Sequence, residues 1–94
     1  MWILQGPKKT FRLTAGSVKT VGRATRADFI VDAALVSRVH CRLTATRDGV
    51  EVEDLKSTNG TYVNDKRVKR AILSNGDRLR VGRVELTMNK QDKR

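Results

Sequence analysis

Three short segments of this chain carry polar groups in patterns that strand and turn formation do not require: Gly22-Arg23, Ser37-Arg38-Val39-His40 and Lys56-Ser57-Thr58-Asn59-Gly60-Thr61. Arginine offers a planar fork of N–H donors, serine and threonine offer hydroxyls, and asparagine offers an amide that both donates and accepts. Brought together, such groups suit the clustered oxygens of a phosphate and a peptide backbone beside it. Taken singly, each has a plainer reading. Arg23 is then a solvated arginine beside a turn glycine, Ser37 and Thr58 are turn hydroxyls capping backbone groups, and Lys56 and Arg26 are surface cations.

Catalysis fits these residues poorly. Ser37 and His40 invite a hydrolase reading, but His40 is the only histidine and no acidic residue is evidently placed to orient it. A structural metal needs several cysteine or histidine ligands, whereas Cys41 and His40 stand alone and, as neighbours on a strand, point to opposite faces. The glycine-rich phosphate cradle of nucleotide enzymes needs a strand, loop and helix in succession, and no helical period follows any candidate here. No enzyme activity, cofactor or metal is expected.

The elements that must hold these segments announce themselves by alternation. Phe11 and Leu13 flank Arg12; Val39, Cys41, Leu43 and Ala45 alternate with His40, Arg42 and Thr44; Val50 and Val52 alternate with Glu51 and Glu53. Leu79 with Val81, then Val84, Leu86 and Met88, repeat the period of two that marks half-buried strands. Strands are expected near residues 2–5, 10–14, 18–21, 29–31, 39–46, 50–54, 61–63, 67–69, 78–81 and 84–89. The dipeptides Asp48-Gly49, Asn59-Gly60 and Asn75-Gly76 mark chain reversals, because Gly and Asn accept the positive φ of tight turns. Many short strands with no helical period between them predict an all-β sandwich of two antiparallel sheets. All three polar segments fall at strand ends, and loops at one end of a sandwich converge on a rigid scaffold.

Composition agrees. The chain has 94 residues, enough for one domain. Ile, Leu, Val and Phe number 24 and the β-branched residues 23, which supports a modest core and favours strands. Residues 1–89 are expected to form the domain, and the polar stretch 90–94 a tail or linker stub. No apolar run approaches the roughly 20 residues of a membrane helix, and no basic-then-apolar leader opens the chain, so a soluble intracellular domain without membrane contact is expected. The lone Cys41 excludes an internal disulfide. The net charge is +10, with +7 in residues 1–47, a field that draws anions such as nucleic acid, anionic lipid or a phosphorylated peptide. Nucleic acid is the main rival partner, yet one Trp, one Tyr and two Phe, of which Phe11 and Phe29 look like core, make no stacking platform.

The ordered series Gly22-Arg23, Ser37-Arg38-x-His40, Leu55-x-Ser57-Thr58-Asn59-Gly60-Thr61-x-Val63-Asn64 and Gly76-Asp77-x-Leu79-x-x-Gly82 resembles the forkhead-associated (FHA) domain over nearly the whole chain. The resemblance implies an FHA-like sandwich of about 10–11 short strands that binds phosphothreonine peptides through its end loops. It further implies that Arg23, Ser37, Arg38 and Thr58 meet the phosphate, that Asn59 bonds the peptide main chain, and that Leu35 and Lys56 border the peptide. Gly22 and Gly60 would permit the loop shapes, and His40 would brace one loop against another as scaffold. Some members have lost phosphate binding and act as phosphate-independent interaction modules; the retained Arg23, Ser37 and Asn59 speak against that here. Met1-Trp2-Ile3 followed by Val21-Gly22-Arg23 is similar to the opening of nibrin-like DNA-repair proteins, which implies a nuclear, DNA-damage setting; kinase signalling and bacterial members are the other settings of the family.

Overall fold

A computed structural model describes residues 1–91 of the chain. Eleven strands follow one another: β1 (Trp2–Gln5), β2 (Thr10–Leu13), β3 (Val18–Gly22), β4 (Phe29–Ile30), β5 (Cys41–Ala45), β6 (Val50–Asp54), β7 (Thr61–Val63), β8 (Lys66–Val68), β9 (Arg70–Leu73), β10 (Arg78–Val81) and β11 (Val84–Lys90). They form a six-stranded sheet in the order β2-β1-β11-β10-β7-β8 and a five-stranded sheet in the order β4-β3-β5-β6-β9. The alternation seen in sequence becomes the core between them. Leu4, Leu79, Val81, Leu86 and Met88 from one sheet bury against Val21, Cys41, Leu43, Val50, Val52 and Leu73 from the other. Trp2 closes one end, its indole Nε1–H donating to the Thr46 carbonyl at 2.8 Å. Burial pushes the Cys41 thiol up to about 12, helped by the nearby Asp54 charge, so this cysteine is a small core hydrophobe.

The fold departs from expectation in four places. Residues 70–73 form β9, a strand that alternation concealed: Leu73 is buried while its neighbour Ile72 is 65% exposed, and the chain changes sheet at Lys69. The sheets are not wholly antiparallel, because β4 pairs with β3 in parallel (Val21 with Phe29, Gly22 with Ile30). Asp48-Gly49 closes the β5–β6 hairpin, but Asn59-Gly60 and Asn75-Gly76 carry the chain from one sheet to the other. Finally, β11 includes Lys90, and the Gln91 N–H donates to the Met1 carbonyl at 2.8 Å, so the first two residues of the expected 90–94 tail belong to the fold. The rest of that tail lies outside the described residues.

The register fixes which loops meet. Val21 and Asp54 both sit opposite Cys41, and Thr61 sits opposite Val81. The ends of β3, β6 and β10 and the starts of β5 and β7 therefore share one end of the sandwich. Residues 23–28, 31–40 and 55–60 and the turn at Gly82-Arg83 emerge there, while Met1 and Lys90 lie at the far end of the six-stranded sheet.

Candidate functional site

At this end the backbone of 22–24 is laced to that of 37–40. The Arg23 N–H donates to the Ser37 carbonyl (2.9 Å), Ala24 N–H to Arg38 (3.0 Å) and His40 N–H to Val21 (2.7 Å). The approach is so close that a Cβ on Gly22 would lie 2.0 Å from the Arg38 carbonyl oxygen, which makes glycine obligatory there through contact with its neighbour. The Arg23 side chain leaves this lacing at a fixed angle, because its Nε–H donates to the Val36 carbonyl at 3.1 Å. The residue is exposed, and its two terminal nitrogens have no carboxylate partner among the described residues.

His40 ties this segment to the next loop. Its ring is fully buried, Nδ1 accepts the Ser37 N–H (3.1 Å), and Nε2 contacts the Gly60 carbonyl (2.8 Å). A single tautomer, with the proton on Nε2, satisfies both contacts. Two further ties join the loops: Thr58 N–H donates to Ser37 Oγ (3.0 Å), and Asn59 Nδ2 donates to the Leu35 carbonyl (3.1 Å). Since Ser37 Oγ accepts in that bond, its own hydroxyl proton is free for a ligand. Leu35 adopts φ +73, a left-handed conformation unusual for leucine, and the tie from Asn59 holds it.

Loop 55–60 is itself built on Asp54, a residue the sequence did not single out. Its carboxylate accepts the Ser57 hydroxyl, the Ser57 N–H (3.2 Å) and the Thr61 hydroxyl (2.7 Å), while Ser57 Oγ accepts the Gly60 N–H (3.0 Å). Partial burial works to raise the Asp54 pKa, but the bonds from Ser57 and Thr61 and the nearby His40 outweigh it, and the group is held below the usual aspartate value. The signal for this hub is the Asp54-x-x-Ser57 spacing, at which an aspartate folds its own following turn. Gly60 then takes φ +89, as a turn glycine should.

These ties enclose an open hollow of about 480 Å³. Arg23, Ser37, Thr58 and Asn59 line it together with Leu35, and Ala33, Ala34 and Val36 form an apolar wall. Asp32 also borders it and disfavours an anion on its side, which leaves the Arg23 side for negative charge. Two expected members are elsewhere. Arg38 is exposed and does not line the hollow, although its carbonyl takes part in the backbone lacing. Lys56, with φ +56, lines a separate recess with Ser57, Arg67 and Lys69 on the other flank of the 55–60 loop.

A rigid sandwich whose end loops, cross-tied by side chains, surround a donor-rich hollow is a recognition domain of the loop-site class. Within that class the chain belongs to the FHA domain family, which it matches over residues 19–82. It is 40% identical over 86 residues to the ABC transporter ATP-binding/permease protein Rv1747 of Mycobacterium tuberculosis, covering 92% of this chain and 10% of that protein. It is 34% identical over 85 residues to the glycogen accumulation regulator GarA of the same organism, covering 89% of this chain and 52% of GarA. The chain thus spans a tenth to about half the length of these relatives. A solved FHA domain studied for phosphothreonine-dependent interactions superposes with a TM-score of 0.88 at 30% identity, over 98% of both chains. These relatives lend no support to a nibrin-like origin or a nuclear location. The opening residues that prompted that expectation serve strand β1, where Trp2 is needed for packing.

Proposed function

We propose that this domain binds phosphothreonine peptides, recruits a phosphorylated protein partner in intracellular kinase signalling, and acts by binding alone. The observation that carries this reading is the convergence of Arg23, Ser37, Thr58 and Asn59 on one hollow while backbone and side-chain ties hold all four in place. A phosphate brings about −1.5 to −2 charges and three acceptor oxygens. The Arg23 fork and the hydroxyls of Ser37 and Thr58 supply donors for them, and the unused groups of the Asn59 amide take the adjoining main chain. Leu35 borders the peptide. Arg38 and Lys56 strengthen the field at longer range.

The aromatic side chains weigh against nucleic acid as the main partner. Tyr62 lies under Arg80 at 4.1 Å, Phe11 and Phe29 stack on each other at 4.5 Å, and Trp2 is buried. None of these rings lines the hollow that holds Arg23, Ser37, Thr58 and Asn59, so no base can stack there.

Matched phosphothreonine and phosphoserine peptides test the reading by titration calorimetry. Burying the extra methyl on the apolar wall is worth about 0.8 kcal/mol, or roughly fourfold tighter binding of phosphothreonine. Equal affinities would show that no methyl pocket exists.

A further inference from the structure

Beside the phosphate hollow lies a second depression that the contacts above leave unused. Its volume is about 260 Å³, and Phe11, Val31, Val84 and Leu86 form its walls and floor. The β1–β2 turn, the segment after β4 and the start of β11 meet to make it. The turn is clamped in place: Gly6 N–H donates to the Lys9 carbonyl (2.8 Å), and Lys9 Nζ donates to the Ile30 carbonyl (2.9 Å). Phe11, stacked nearly parallel on Phe29, gives one rigid wall. A side chain at position 6 would collide with the floor, since its Cβ would lie 2.6 Å from Leu86 Cδ2.

Two observations name the occupant. Asp32 and Ala33 line both this depression and the phosphate hollow, so a chain seated on Arg23 and passing over Ala33 enters the depression directly. The volume suits one large apolar side chain, given that an apolar cavity of roughly 150 Å³ holds benzene.

We propose that this depression is a second specificity subsite, which takes a Leu, Met or Phe side chain of the same phosphorylated partner, at a position whose chain has passed over Ala33 from the phosphothreonine. This inference rests on the phosphopeptide function proposed above.

The test is a set of phosphothreonine peptides in which each position within six residues of the phosphothreonine is Leu or Ala in turn, titrated against the wild-type domain. One position should favour Leu over Ala by about fivefold or more. In Phe11→Ala, the Leu-to-Ala ratio at that position should fall below about twofold. Should that variant fail to fold, the wild type still decides: the Leu86 and Val84 methyl resonances should move with the Leu peptide and stay with the Ala peptide. A flat profile, a preference that survives Phe11→Ala, or one that leaves those methyls unmoved overturns the subsite. Wild-type domain that binds phosphorylated and unphosphorylated peptides alike overturns the phosphopeptide function itself, and the subsite with it.

Discussion

Arg23→Ala weakens binding of a phosphothreonine peptide by roughly 30-fold or more, while the domain stays folded. Truncating one partner of a desolvated, hydrogen-bonded charge pair costs about 2–5 kcal/mol, and the lower bound already gives that factor. The fold should tolerate the change because Arg23 is exposed and its backbone bond to Ser37 remains; only the side-chain bond to Val36 is lost. Calorimetry beside a thermal melt separates the two effects. Near-normal affinity in a folded Arg23→Ala domain would remove Arg23 from the site.

His40→Ala has the opposite profile, with stability lost first. The substitution opens a cavity where a fully buried ring stood and strands the Ser37 N–H and the Gly60 carbonyl. Each unsatisfied buried group costs about 1–3 kcal/mol, and the cavity adds to that, so a loss of about 3 kcal/mol is a conservative figure. For a domain of this size each kcal/mol moves the melting temperature by about 4–8 °C, and a drop of at least about 12 °C follows. Binding should suffer less than in Arg23→Ala when both are compared well below their melts. Unchanged stability with abolished binding would mean that His40 touches the ligand.

What the sequence disclosed and what it hid divide along a physical line. Alternation reports which face of a strand is buried, and it located Leu43, Val52, Leu79 and Leu86 together with ten of the eleven strands. It reports nothing about the partner of a strand, which is why the parallel β3–β4 pair and the sheet-crossing turns at Gly60 and Gly76 came only from the fold. β9 was lost because Ile72 is apolar yet exposed on that edge strand. Among the site residues, Arg23, Ser37, Thr58, Asn59 and Leu35 assemble as their loops predict. Arg38 and Lys56 have the right charge, but a charge in sequence carries no direction, and neither residue lines the hollow. Asp54 escaped notice as the last residue of a strand, although it organises the loop that presents Thr58 and Asn59.

The net charge of +10 keeps one rival alive for experiment, a basic surface that binds any polyanion. The most direct measurement titrates the domain at physiological salt with a phosphothreonine peptide, the same peptide after phosphatase treatment, and a random DNA duplex, then repeats all three at higher salt. DNA binding through released counterions loses affinity with a logarithmic slope of about 0.9 for each phosphate neutralised, whereas a single phosphate gives a shallow slope. The expected result is binding of the phosphorylated peptide with a shallow slope, no binding of its dephosphorylated twin, and weak, salt-sensitive binding of DNA. Tight DNA binding with a steep slope, together with peptide binding indifferent to phosphorylation, would contradict the phosphothreonine function outright.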